Sequence, residues 1–232
     1  AIKDSMLDET ACDNFKEIFN KGLSDVDIDV KVSSLKATTM FLNSLQSEEI
    51  IMKFTSLTDK MIATLIDALK HDNETKDTKA SGKTALETLN VILDSHPKFW
   101  KGKSDMIIDI VCQIVKGKTF TNSIREIALE LVYSLAKNVP GAVKKSNNFK
   151  NIFIPLMFEL LLEVDNIDNI PAWEKQVEED EVDLDDIFYG VRDGFERLSI
   201  DLGGKFFMEA TSGFINKYLT SQNWVEIHAA FT

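Results

Sequence analysis

The sequence predicts an all-α fold, an α-α superhelix (α-solenoid) of about five HEAT-type helix pairs, on three observations. Apolar residues recur at offsets of three and four along nearly the whole chain, the one-sided pattern of a 3.6-residue helix. No stretch sustains the two-residue alternation of a half-buried strand, and no Asn-Gly hairpin pair occurs. Finally, a small residue before a large one recurs on the second helix of each expected pair: Ser34-Leu35, Ala85-Leu86, Ala128-Leu129, Gly194-Phe195 and Ala230-Phe231. Their spacings are 51, 43, 66 and 36 residues. Removing an insert of about 22 residues turns 66 into about 44, so the period scatters around the roughly 40 to 47 residues of HEAT and armadillo units. Small residues at such positions let neighbouring helices approach closely, and the chain reads as one solenoid over 1–232 with an insert at about 165–186.

In order, Phe15, Ile18, Phe19 and Leu23 predict a first helix ending at Gly22. Val32, Leu35, Met40, Leu42 and Leu45 predict a second over about 28–46. Ser47-Glu48-Glu49 opens a third helix or helix pair on Phe54, Leu57, Met61, Leu65 and Leu69, closed by the polar run HDNETKDTK. A fourth helix runs from Ala80 to Leu93, stopped at Ser95-His96-Pro97, and a fifth from Asp105 to Lys116. The clearest runs from about Asn122 to Asn138, where Ile124, Ile127, Ala128, Leu131, Val132 and Leu135 form one core face, and Pro140-Gly141 ends it. A helix over about 147–164 carries Pro155, which is expected to bend it. Segments 184–202 and 205–219 come next, then a last helix opening at Asn223-Trp224.

Charge is distributed very unevenly. Between Glu159 and Asp186 stand twelve acids against the single base Lys175, a net −11 in 28 residues, while the other 204 residues hold 26 acids and 25 bases. The acids are Glu159, Glu163, Asp165, Asp168, Glu174, Glu178, Glu179, Asp180, Glu181, Asp183, Asp185 and Asp186. Such a density of like charge opposes compaction, and Pro171 breaks a helix entering from the left, so a flexible acidic loop is expected. Trp173 lies inside it, where solvation alone does not call for a large aromatic. Two readings stand: a solvated spacer, and an element that attracts a basic partner.

Composition and motifs exclude several function classes. No window of 18 uninterrupted apolar residues exists, and Ala1 opens into IKDSMLDETACDNF without a basic start and apolar block, so neither a membrane span nor a signal peptide is expected. The chain opens without Met and its apolar pattern runs into HAAFT, which suggests a fragment of a longer protein. Two cysteines a hundred residues apart, Cys12 and Cys112, fit a reducing compartment rather than a disulfide framework. Asp25-Val26-Asp27-Ile28-Asp29 fails as a calcium loop because Val30 stands where Gly must turn the chain and Lys36 where a bidentate Glu is needed. Gly203-Gly204-Lys205 lacks the upstream Gly and the Ser or Thr of a phosphate loop, and reads as an interhelical turn. His71, His96 and His228 lie near no Cys at ligand spacing, so no metal, cofactor or catalytic residue is assigned. Carboxylates on a loop lack the fixed, desolvated setting that acid-base catalysis needs. The acidic balance also argues against direct nucleic-acid binding.

From Ile154 onward, the acidic tryptophan-bearing stretch, the turn Leu202-Gly203-Gly204-Lys205 and the helix start Asn223-Trp224-Val225-Glu226-Ile227-His228-Ala229 come in a characteristic order. Over about 80 residues this resembles the importin-β (karyopherin-β) family, most closely its importin beta-3 (importin-5) branch; upstream, the match is HEAT periodicity. Val225-Glu226-Ile227 stands where that branch has a basic-aromatic segment, and Gly194-Phe195 where it has Ala-Leu. The resemblance implies a nuclear transport receptor, not an enzyme, shuttling between cytoplasm and nucleus. The partners it implies are Ran-GTP, Lys/Arg-rich cargo and nucleoporin FG repeats. The charge cluster and Trp173 make the acidic loop the expected element for binding cargo or Ran, through Asp165, Asp168, Trp173, Glu174, Glu178, Glu179, Asp180, Glu181, Asp183, Asp185 and Asp186. The alternative is a general HEAT scaffold, such as a phosphatase regulatory or chromosome-organising subunit, in which the acidic loop is incidental.

Overall fold

The computed structural model describes residues 8–75, 80–163 and 187–232. Its described residues are helices and turns, with no strand among them. The chain divides into two compact units, 1–104 and 105–232.

In the first unit, α1 (Glu9–Gly22) starts at Asp8, whose carboxylate accepts from the Ala11 backbone N–H at 2.7 Å. Asp27 caps α2 (Ile28–Ser44) in the same way, accepting from Asp29 at 2.8 Å. The aspartates that mimic the start of a calcium loop thus serve to begin a helix. The segment after Ser47 is a helix pair: α3 (Glu48–Met52), a 3₁₀ turn over Thr55–Leu57, and α4 (Thr58–Thr75). α4 runs through His71 to Thr75, past the point where polarity predicts its end; the Asp72 carboxylate there accepts from the Gly82 N–H at 2.7 Å and anchors the start of α5 (Ser81–Ser95). α2 packs against α4 and α5, and α1 against α2. Phe15, Phe19, Phe41 and Phe54 fill the space between, with the Phe41 ring centroid 4.6 Å from that of Phe15 and 5.4 Å from that of Phe54. Two residues assigned to the core stripes, Ile18 and Met40, are 61% and 73% exposed. Thr38 and Thr39 take the inward position beside Met40, and Thr38 satisfies its hydroxyl on the Ser34 carbonyl at 2.7 Å.

The second unit holds α6 (Ser104–Lys116), α7 (Asn122–Asn138) and the short α8 (Pro140–Lys145). Pro140 ends α7 as expected, and it also begins a helix, because a residue without an N–H costs nothing at the first position. Leu131 is 2% exposed, so the buried face of α7 is the one its spacing predicts. In place of the single helix bent at Pro155 that the sequence predicts, a widened π-type turn over Phe149–Phe153 leads into α9 (Ile154–Leu160), with Pro155 in the first turn, where its missing donor is least harmful. α10 (Ile187–Leu202), α11 (Gly204–Leu219) and α12 (Trp224–Phe231) complete the unit. Gly203, at φ 78°, forms the turn between α10 and α11, a conformation that favours glycine. Asn223 caps α12 at the Val225 N–H, 3.1 Å away. Phe158 sits at the centre of the core, its ring centroid 5.0 Å from those of Phe195 and Phe214 and 5.6 Å from that of Tyr218.

The recurrent small-large pairs fall on α2, α5, α7, α10 and α12, the second helix of each pair. Leu35, Leu86 and Leu129 are buried, while Phe231 is 78% exposed. Second helices of successive pairs pack side by side within each unit, α2 with α5 and α7 with α10, which is the nearest-neighbour logic of a helical repeat. No helix among the described residues is long and apolar enough to cross a membrane.

Candidate partner-binding surface

Two helices of the second unit, α7 and α10, bring a set of charges together that the linear sequence scatters over 76 residues. Their close approach depends on Gly194. A Cβ at that position would collide with the ring end of Tyr133, which is 2% exposed and has nowhere to move. Gly190, one turn earlier, has the Glu126 carboxylate 3.2 Å from where its Cβ would stand. Gly194→Ala is therefore expected to destabilise the chain by about 1 to 3 kcal/mol through overpacking, read by thermal unfolding. Gly141→Ala, with no heavy atom within 4 Å of the added Cβ, is the matched control.

Around this contact, the Arg197 guanidinium holds the Glu130 carboxylate in a fork, with N···O distances of 2.5 and 2.9 Å, and lies 4.8 Å from the Tyr133 ring centroid. The hydrogen bonds to Glu130 raise the Arg197 pKa against the opposing effect of burial. Burial pushes the Tyr133 hydroxyl far above its ordinary value; nearby Glu130, Asp193 and Glu126 push the same way and Arg197 opposes them. Tyr133 is consequently a neutral packing residue, its Oη 3.5 Å from the Gly190 carbonyl. A second stack places the Arg192 guanidinium 5.2 Å from the Tyr189 ring centroid. The exposed and half-buried charged groups of the two helices, Glu126, Glu130, Asp193, Glu196 and Asp201 against Lys137, Arg192 and Arg197, carry net −2. A face of acids interleaved with aromatic rings suits a basic, extended chain.

The acidic residues assigned from sequence, Asp165 through Asp186 with Trp173, lie outside the described residues. Two acids of the same run are described: Glu159 is exposed on α9, and Glu163 pairs with Arg125 at 2.8 Å. Arg125 is 4% exposed. Its Nε donates to the Val115 carbonyl at 2.8 Å and Nη1 to Asn122 Oδ1 at 3.0 Å, so one guanidinium joins the end of α6, the start of α7 and the end of the α9 segment. Sequence reasoning misses Arg125, which reads as a polar residue between Ile124 and Ile127. It also misses the α7/α10 face, for which the only signal is the acid pair Glu126 and Glu130 at a spacing of four, opposite the apolar stripe.

Neither cysteine is disulfide-bonded, and both are buried. Desolvation pushes the Cys112 thiol up to about 12, against a smaller opposing effect of Lys116. With folded Cys112 protonated at neutral pH, alkylation by iodoacetamide at about pH 8 is expected to label it only after denaturation; rapid labelling of the native chain would contradict its burial. No group of three or more His, Cys, Asp and Glu side chains among the described residues is arranged to hold a metal ion. His228 stacks against Phe188, their centroids 5.6 Å apart.

Family comparisons agree with this architecture along most of the chain. An importin-repeat model matches residues 117–209, and a model of the IPO5-like TPR repeats matches residues 6–110. The chain belongs to the importin-β family. Importin subunit beta-3 of Saccharomyces cerevisiae is 26% identical over 216 residues, which cover 92% of this chain and 19% of that protein. The solved structure of Kap121p bound to Nup53p superposes with a TM-score of 0.82 at 20% identity, covering 97% of this chain and 21% of that one. Kap121p bound to Pho4p gives 0.82 at 20% identity, and the karyopherin Kap121p bound to the SUMO protease Ulp1p gives 0.81 at 21%, with the same coverage. This importin-family chain thus spans about a fifth of the length of the relatives it matches.

Proposed function

We propose that this chain is a segment of a nuclear transport receptor that holds Lys/Arg-rich cargo and releases it to Ran-GTP, with no catalytic role. The observation that carries this reading is the net −11 packed between Glu159 and Asp186 of an importin-family chain whose total is only −12. Structures of Kap121p holding Pho4p, Ulp1p and Nup53p support it as relatives that bind other proteins. In this reading Asp165, Asp168, Glu174, Glu178, Glu179, Asp180, Glu181, Asp183, Asp185 and Asp186 set up a field that draws in a basic partner within the roughly 8 Å that physiological salt allows. Trp173 orients it by stacking on an Arg or on the stem of a Lys. The α7/α10 face, net −2 and lined by Tyr189 and the Glu130–Arg197 pair, gives the captured chain a structured surface to lie on. The receptor shuttles between cytoplasm and nucleus and meets nucleoporin FG repeats on the way.

The test is a titration of the full-length protein with a fluorescent lysine-rich import signal. Saturable binding that weakens steeply between roughly 50 and 300 mM salt is expected, because added salt shortens the screening length of exposed charges. A signal bound with no dependence on salt, or not bound at all, would leave the general scaffold as the better description. Trp173→Ala is expected mainly to speed dissociation, whereas neutralising Glu178, Glu179, Asp180 and Glu181 together slows association.

A further inference from the structure

A second surface of the 105–232 unit has the opposite electrostatic character. Between α9 with its preceding π-type turn and α11 lies a cavity of about 460 Å³, whose apolar lining is Pro155, Phe206, Ala210 and Phe214. Phe206 is its platform. The ring stacks on Phe149 at 6.4 Å, and two ammonium groups lie against it, Lys150 Nζ at 5.2 Å and Lys144 Nζ at 5.9 Å from the centroid. Neither Lys144 nor Lys150 is in an ion pair with a described carboxylate. Lys150 and Glu209 are the charged residues of the lining and Lys144 reaches Phe206 beside it, so two ammonium groups stand against one carboxylate on a protein whose net charge is −12.

We infer that this cavity docks an acidic peptide segment of a partner protein, one that presents a single aromatic side chain between carboxylates. The aromatic ring enters between Phe206 and Phe214, whose faces and edges favour offset or edge-on ring packing. Flanking carboxylates replace water on Lys150 and Lys144, forming charge-assisted hydrogen bonds beside a desolvated ring. Charge complementarity selects this occupant: a basic segment would meet uncompensated lysines, and a neutral aromatic one would gain the floor but leave the lysines unused. The inference is independent of the basic-cargo reading, since it concerns different residues and a partner of opposite charge.

The experiment uses the full-length protein and a labelled peptide of about twelve residues carrying one Phe among Asp and Glu, with binding read by fluorescence anisotropy at low salt. Saturable binding is expected, at least about fivefold weaker for the same peptide with Asn and Gln in place of its acids, and weaker again with Ser in place of Phe. The double variant Lys144→Glu with Lys150→Glu changes exposed or half-exposed side chains and is expected to lower affinity at least about tenfold while leaving the thermal transition in place. Phe206→Ala is expected to do the same to binding. No saturable binding of the acidic peptide, or equal binding by the double variant, would overturn the proposal. Equal binding of the neutral peptide would overturn its electrostatic basis. Binding that appears only after residues 165–186 are replaced by a Gly/Ser linker would make the chain's own acidic stretch the occupant, and would also overturn it.

Discussion

Arg125→Ala is expected to lower the unfolding free energy of the chain by about 3 to 5 kcal/mol, the range for removing one partner of a buried charge pair. Three losses combine in this one side chain. The Val115 carbonyl loses its 2.8 Å donor from Nε, Asn122 loses the bond to Nη1, and the Glu163 carboxylate loses its 2.8 Å counter-charge. Glu163 is a third exposed and regains some water, which puts the effect toward the lower end. Arg125→Lys keeps the charge but not the planar fork that reaches three directions at once, so it is expected to recover only part of the loss. Arg125→Met fills the space and separates packing from hydrogen bonding. Denaturant unfolding of the four proteins provides the comparison. A cost below about 1 kcal/mol for alanine would mean that water substitutes for the guanidinium and that the junction is not buried.

The second large effect is on binding. Replacing residues 165–186 by a neutral Gly/Ser linker is expected to cut the association rate of a lysine-rich import signal by on the order of tenfold or more at low salt, and to flatten the salt dependence. Single carboxylate substitutions in the same stretch should each do little, because an exposed ion pair is worth about 0 to 1 kcal/mol and the field belongs to the cluster. Stability should be nearly unchanged, since the helices on either side, α9 and α10, bury their own apolar faces through Phe158, Phe195 and Leu198. Stopped-flow association at several salt concentrations distinguishes this from the spacer reading, under which rate and slope stay where they were.

How much of the molecule is legible in its sequence differs by feature. α7 is read with its bounds nearly right, because its apolar spacing and the Pro140 stop agree; the Thr121 cap at its start comes from the structure. The turn at Gly203 is legible for similar local reasons, whereas 48–75 reads equally as one helix or two until the structure shows the 3₁₀ turn over Thr55–Leu57. Met40 and Ile18 read as buried but are exposed, because a periodic stripe does not reveal which of its edges faces a neighbour; Thr38 and Thr39 turn inward beside Met40 instead. The π-type turn before Pro155 and the short α8 after Pro140 show that proline marks a break dependably without specifying the structure on its far side. The α7/α10 surface is out of reach of sequence altogether. Glu130 and Arg197 lie 67 residues apart, and only the pairing of second helices, made possible by Gly194 under Tyr133, brings them to 2.5 Å. The Phe206 cavity is hidden in the same way, since Lys144, Lys150 and Phe206 lie on separate segments that only the fold brings together. Charge composition, by contrast, needs no folding to be read, which is why the acidic stretch stands out in the bare sequence.

Nucleotide-dependent release tests the transport-receptor reading most directly. The full-length protein is loaded with a fluorescent lysine-rich import signal, and dissociation of that signal is monitored after addition of Ran in its GTP-bound or GDP-bound form. Release by Ran-GTP and retention in Ran-GDP are expected. Retention in both, with no Ran-GTP bound to the protein, would contradict that reading.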